Sequence, residues 1–126
     1  MRYLLEQQII LLNKKAVSVL RVKKADSFKV LSYAKLKSVV ASYKKASGDV
    51  LDKSVILLKG LLQEHVFASA NRRTAIVALI TFTKLNGVGI VLHFEPRVIQ
   101  GIREGYYSDE EIKQWLQGCE IHEFKR

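Results

Sequence analysis

Two apolar helical patterns lie head to tail between Asp49 and Leu85, divided only by a short polar turn, and this arrangement narrows the fold more than any other feature. Leu51, Val55, Leu58 and Leu62 recur at i, i+4, i+7 and i+11, so an α-helix places them in one buried stripe. Asp49 follows Gly48 and can cap that helix, and Asp52 in its first turn favours the helix dipole. Beyond the turn, Ala75, Ile76, Ala78, Leu79, Ile80, Phe82 and Leu85 make a second helix that is apolar on most sides. Such a helix must be surrounded, which predicts that it is the central helix of a bundle. Asn86-Gly87 supplies its C-terminal stop.

The remaining chain repeats the helical pattern. A first helix is expected over about Leu4 to Leu20, with Leu5, Ile9, Leu12 and Ala16 on its apolar face and a break near Asn13-Lys14-Lys15. Asp26-Ser27 can cap a second helix carrying Leu31, Ala34, Leu36, Val39, Val40 and Tyr43. Val88 to Leu92 reads as a brief extended segment. Pro96 suits the first turn of a helix that stops at Gly105. Ser108-Asp109-Glu110-Glu111 is a capping box for a last helix through Trp115 and Leu116, ended by Gly118. The tail, Cys119 to Arg126, is expected to be loosely ordered. These elements predict a single domain over residues 1–126, an all-α orthogonal bundle of about six helices.

Composition excludes several classes. With 48% hydrophobic residues, one Pro and seven Gly, the chain is not of the disordered kind. Its longest apolar runs, Ile9 to Leu12 and Ile76 to Ile80, are too short to span a membrane. The start, Met1 to Glu6, predicts no secretion signal, and the sole cysteine, Cys119, suits a reducing cytoplasm. The net charge of +9 is uneven: residues 1–62 hold 13 Lys/Arg against 4 Asp/Glu, and residues 63–126 hold 8 of each. The basic N-terminal half reads first as a lysine-rich solvated surface and second as a face for an acidic partner. No zinc spacing, aromatic RNA-binding motif or helix-turn-helix pattern accompanies it, so nucleic acid is not the expected partner.

The polar turn, Gln63 to Thr74, concentrates His65, Asn71, Arg72 and Arg73 where one helix ends and the next begins. The first turn of a helix leaves backbone N–H groups unpaired and carries partial positive charge, so cations there prepare an anion site. Arg73 at a helix start opposes the dipole unless an anion lies between them, and its planar guanidinium suits phosphate. Asn71 can cap the helix. His65 can accept a proton from an attacking hydroxyl. Phe67 reads as a core anchor for the loop, and His93 and His122 as structural or surface residues.

His65-Val66-Phe67-Ala68-Ser69-Ala70-Asn71-Arg72-Arg73 resembles the signature loop of the Fic/Doc superfamily, His-x-Phe-x-acid-small-Asn-x-Arg. Ala70 with a cation at position 72 and Arg73 is similar to the Doc (death on curing) branch. The resemblance spans roughly Asp49 to Gly118 and implies the same all-α fold. It further implies a toxin of a toxin–antitoxin pair that transfers the γ-phosphate of ATP to a protein hydroxyl, with a translation elongation factor as the type of target. In that reading His65 is the base, Asn71 fixes the loop and holds phosphate oxygens, and Arg73 grips phosphate. Ser69, Ala70, Asn71, Arg72 and Arg73 bind the nucleotide phosphates, and Arg72 turns the γ-phosphate toward transfer. A flap holding the target peptide would fall at about Arg21 to Val30, where no matching motif stands. No inhibitory motif of the kind some Fic proteins carry is seen in this chain, so an antitoxin would be a separate partner.

One position departs from the pattern. Ser69 stands where the family has the acid that ligates Mg2+, and a neutral hydroxyl is a weak ligand for a hard cation. Glu64 is the nearest substitute carboxylate, although neighbours on a helix face different ways. Three readings therefore follow: a Doc-like phosphotransferase, an adenylyltransferase of the Fic type, and a catalytically silent binding protein that keeps the anion nest without the metal.

Overall fold

The computed structural model describes residues 1–19, 28–93 and 95–125. Among these it has six helices and no strand: α1 (Glu6–Val19), α2 (Tyr33–Lys45), α3 (Val50–Gln63), α4 (Asn71–Leu85), α5 (Pro96–Arg103) and α6 (Asp109–Leu116). The all-α bundle expected from periodicity is what the chain forms. The local signals act as their chemistry dictates. Asp49 and Asp52 form a reciprocal capping box on α3, Ser108 and Glu111 form another on α6, and Pro96 occupies the first turn of α5. Gly87, Gly105 and Gly118 take positive φ just past α4, α5 and α6.

Four elements differ from the sequence reading. α1 runs unbroken through Asn13-Lys14-Lys15, and its buried side is Ile9, Asn13, Ala16 and Val17, with Leu5 exposed. Asn13 belongs to the core side and therefore does not interrupt the helix. α2 begins only at Tyr33, because Ser32 accepts a hydrogen bond from the Lys35 N–H at 3.1 Å; Leu31 and Ala34 are exposed. The expected cap at Asp26-Ser27, like Leu20, lies outside the described residues. The central helix is α3, not α4: it packs against α2, α4, α5 and α6, whereas α4 packs chiefly against α3 and α1. Leu57 and Leu61 give α3 a second buried face beside Val55, Leu58 and Leu62. The tail does not hang loose. Phe124 is 5% exposed and stacks edge-on to Tyr106, and the Tyr107 hydroxyl donates to the His122 carbonyl at 2.9 Å.

The buried apolar side chains form one cluster running from Leu4 to Phe124. Tyr3, Tyr43 and Phe82 meet at centroid distances of 5.2–6.0 Å and fasten the N-terminal residues to α2 and α4. The Tyr43 hydroxyl donates to the Leu4 carbonyl, and burial pushes its phenol well above the usual tyrosine range. Lys53 is buried in α3 and donates to the Lys44 and Ala46 carbonyls at 2.7 and 2.6 Å, closing the C-terminal end of α2. Residues 88–92 join no ladder among the described residues; Val91 donates to the Leu116 carbonyl at 3.0 Å and ties this segment to α6. No helix among the described residues is long and apolar enough to cross a membrane.

Candidate functional site

α3 and α4 are in contact, and the loop between them is pinned at both ends. α3 ends where Glu64 donates to the Gly60 carbonyl at 3.0 Å, and His65 follows with φ 50°, the left-handed position at which helices commonly take glycine. His65 is exposed. Val66 and Phe67 then turn inward and are buried, which bears out Phe67 as the anchor. Their backbone pairs with another segment: Leu31 donates to the Val66 carbonyl at 2.8 Å and Ala68 to the Lys29 carbonyl at 3.0 Å, with Val30 opposite Phe67. Of the segment 21–30 considered for a flap, Lys29 and Val30 lie alongside the loop itself, and residues 21–27 lie outside the described residues.

Asn71 is the first residue of α4, and its side chain is turned back on the loop. Its Oδ1 accepts from the Phe67 N–H at 3.0 Å, and its Nδ2 donates to the Phe67 carbonyl at 2.7 Å. The N-cap is Ala70, at φ 60° and ψ 30°, with no side-chain cap; the capping expected of Asn71 is replaced by a clamp on the loop. The Ala70 carbonyl accepts both the Thr74 N–H at 2.9 Å and the Thr74 hydroxyl at 2.7 Å. From α1, Asn13 donates through Nδ2 to the Ser69 carbonyl and to Thr74 Oγ1, both at 2.9 Å. The N–H groups of Ala70, Asn71, Arg72 and Arg73 meet no acceptor among the described residues. A left-handed residue followed by helical ones makes successive N–H groups converge into an anion-binding concavity.

Arg72 and Arg73 are exposed and, with Ile76 and Val77, line a cleft of about 400 Å³ on the first turns of α4. Two guanidinium groups at the positive end of a helix cost stability until an anion joins them. Ser69 is half-buried, with its carbonyl taken by Asn13. No group of three or more His, Cys, Asp or Glu among the described residues is placed to hold a metal ion, and Glu64 stands exposed at the end of α3. Among the described residues the donor set here does not fit a resident Mg2+. No hydrogen bond joins His65 to Asn71, Arg72 or Arg73 among the described residues. His93 is exposed, and His122 Nδ1 lies 3.2 Å from Glu111 Oε2, far along the chain from this loop.

Sequence reasoning missed Asn13 and Thr74, which hold the loop from beneath. A signal was present: Asn13 falls at i+4 from Ile9 and i−4 from Val17, a polar side chain in a buried stripe. Neither the protein-family models nor the curated proteins compared with this chain give a match.

Proposed function

We propose that this chain is a Doc-like phosphotransferase that moves the γ-phosphate of ATP to a hydroxyl on a target protein. A toxin acting on a translation factor is the biological type that the resemblance implies. The observation that carries the reading is the loop's conformation. His65 and Ala70 are the non-glycine residues with positive φ among those described, and they bracket the four loop residues Val66, Phe67, Ala68 and Ser69. Strain of this kind persists where surrounding contacts over-determine it, and here Asn71, Asn13 and the 29–32 segment do so. The strained loop ends in a concavity of N–H groups beside two arginines.

In this reading the polyphosphate lies over Ala70, Asn71 and Arg72, with the Arg72 and Arg73 guanidinium groups neutralising it from the cleft. Asn71 acts mainly by fixing Phe67, since both polar atoms of its side chain are engaged there. The attacking hydroxyl gives its proton to His65 as its oxygen bonds to the γ-phosphorus. The bond from that phosphorus to the bridging oxygen breaks, and ADP leaves. The charge is carried by backbone N–H groups and guanidinium groups, and no step is assigned to a metal. A second reading has one observation in its favour: Ser69 at the acidic position, with no metal-holding carboxylate cluster among the described residues, suits a silent phosphate-binding protein.

The test is label transfer from ATP, labelled in parallel at the γ- or α-phosphate, to proteins of a cell extract. Label from γ-ATP alone, lost in His65→Ala, is the expected result. Label from α-ATP would assign adenylyl transfer instead. Label from Ser69→Asp but not from the wild type would identify a loop that has lost its metal acid, and none from either would leave the silent binder.

A further inference from the structure

We propose that Asn13 on α1 is a positioning residue for the phosphate-binding loop, setting the direction of the Ala70 and Asn71 N–H groups. The inference rests on the reading of that loop as a phosphate site. Asn13 is 0% exposed, and both of its donated hydrogen bonds go to the junction of loop and α4. One reaches the Ser69 carbonyl directly. The other reaches the Ala70 carbonyl through the Thr74 hydroxyl, which accepts from Asn13 and donates to Ala70. A trans peptide places its N–H opposite its C=O. Drawing the Ser69 carbonyl toward α1 therefore turns the Ala70 N–H away from α1, and holding the Ala70 carbonyl along α4 turns the Asn71 N–H outward past the helix end. These are the first two donors of the concavity.

A purely structural role explains the side chain poorly. Asn13 Oδ1 is buried and accepts no hydrogen bond from the described residues, a state that costs stability and that an apolar side chain of similar size would avoid. What asparagine supplies here is a pair of donors from one amide, one aimed at the Ser69 carbonyl and the other at the Thr74 hydroxyl that holds the Ala70 carbonyl. Asn71 clamps the loop at Phe67, and Asn13 clamps it at Ser69 and Ala70, so neither clamp spends the arginines.

Two-dimensional amide NMR of the wild type, Asn13→Leu, Thr74→Val and Thr74→Ser, titrated with pyrophosphate and with ATP, tests this. The wild type should show saturable shifts at the Ala70, Asn71 and Arg72 amides. Asn13→Leu should keep a dispersed spectrum but bind each anion more weakly by roughly tenfold, the scale of one charge-assisted hydrogen bond. Thr74→Val, which removes the hydroxyl bridge from Asn13 to the Ala70 carbonyl and leaves the Thr74 N–H bond to that carbonyl in place, should weaken binding likewise, and Thr74→Ser, which keeps the hydroxyl, should restore it. Thr74→Val decides the matter if Asn13→Leu does not fold. Equal titration of Asn13→Leu or Thr74→Val and wild type would overturn the proposal, and so would unresponsive amides at 70–72 in the wild type. Saturable amide shifts in a protein that transfers no label would remove the enzymatic reading and leave the role of Asn13 standing.

Discussion

Placing an L-residue in the left-handed region costs about 1–2 kcal/mol, and only glycine enters it freely. His65 occupies that region, at the position after α3 where glycine would relieve the strain. Removing the imidazole therefore has two distinguishable forms. His65→Ala keeps the strain, whereas His65→Gly discards it against an unfolded-state entropy of about 0.5–1 kcal/mol. Both variants should lose label transfer, and His65→Gly should melt at or above the wild-type temperature and above His65→Ala. Transfer by His65→Gly would remove the imidazole from the chemistry. A clear loss of stability in His65→Gly would show that the ring packs rather than reacts. At this scale the loop's own residues were legible, since His65, Asn71, Arg72 and Arg73 lie within nine consecutive positions. The buried position of Asn13 was signalled by its place in the α1 stripe, but its pairing with Ser69 was not, because the two are 56 residues apart and only folding brings them together.

Among the elements, two glycines mark where packing is closest. A Cβ on Gly60 would meet Val39 Cγ1 at 2.8 Å, and one on Gly101 would meet Phe124 Cβ at 2.9 Å as well as the Tyr107 ring. Gly101 lies on α5, so the tail is held by a missing side chain as much as by present ones. Gly101→Ala should displace Phe124 and Tyr107 and destabilise the protein by about 1–3 kcal/mol, the usual range for overpacking. Thermal unfolding measures the loss, and faster proteolysis after Gly118 would locate it in the tail. An unchanged melting temperature would show that the tail contributes little. The caps of α3 and α6 and the glycine stops of α4, α5 and α6 could be read from the sequence because each is a contact across three or four residues, whereas the Ser32 cap of α2 was not read. The rank of α3 over α4 could not. Both helices are apolar, and which is central depends on what α2, α5 and α6 bring against Leu57 and Leu61.

At the scale of the whole molecule, charge is sorted by place. α2 carries Lys35, Lys37, Lys44 and Lys45 with no acidic residue, while the N-terminal ends of α3 and α6 gather Asp49, Asp52, Asp109, Glu110 and Glu111. Lys113 reaches from α6 to Asp52 at 2.8 Å, and Lys59 from α3 to Asp109 at 2.6 Å, so these acids also join the two helices. The hydrogen bond from Lys113, followed by that from the Asp49 N–H, holds the Asp52 carboxyl below the usual carboxylate range. The Ser108 N–H does the same for Glu111. A carboxyl with a depressed folded pKa contributes stability above its unfolded value of about 4, and that contribution is lost as the pH falls through the folded pKa. Lys113, raised chiefly by Asp52, contributes below its unfolded value of about 10 and loses that contribution as the pH rises through its folded pKa. Melting temperature should therefore be level through neutrality and fall on the acid side below about pH 4. Asp52→Asn should lower the neutral plateau and flatten the acid limb together. These groups face solvent, so salt should shrink the difference between variant and wild type. An acid limb of unchanged steepness in Asp52→Asn would move the acid sensitivity to other carboxylates and leave the α3–α6 contact to its buried apolar residues.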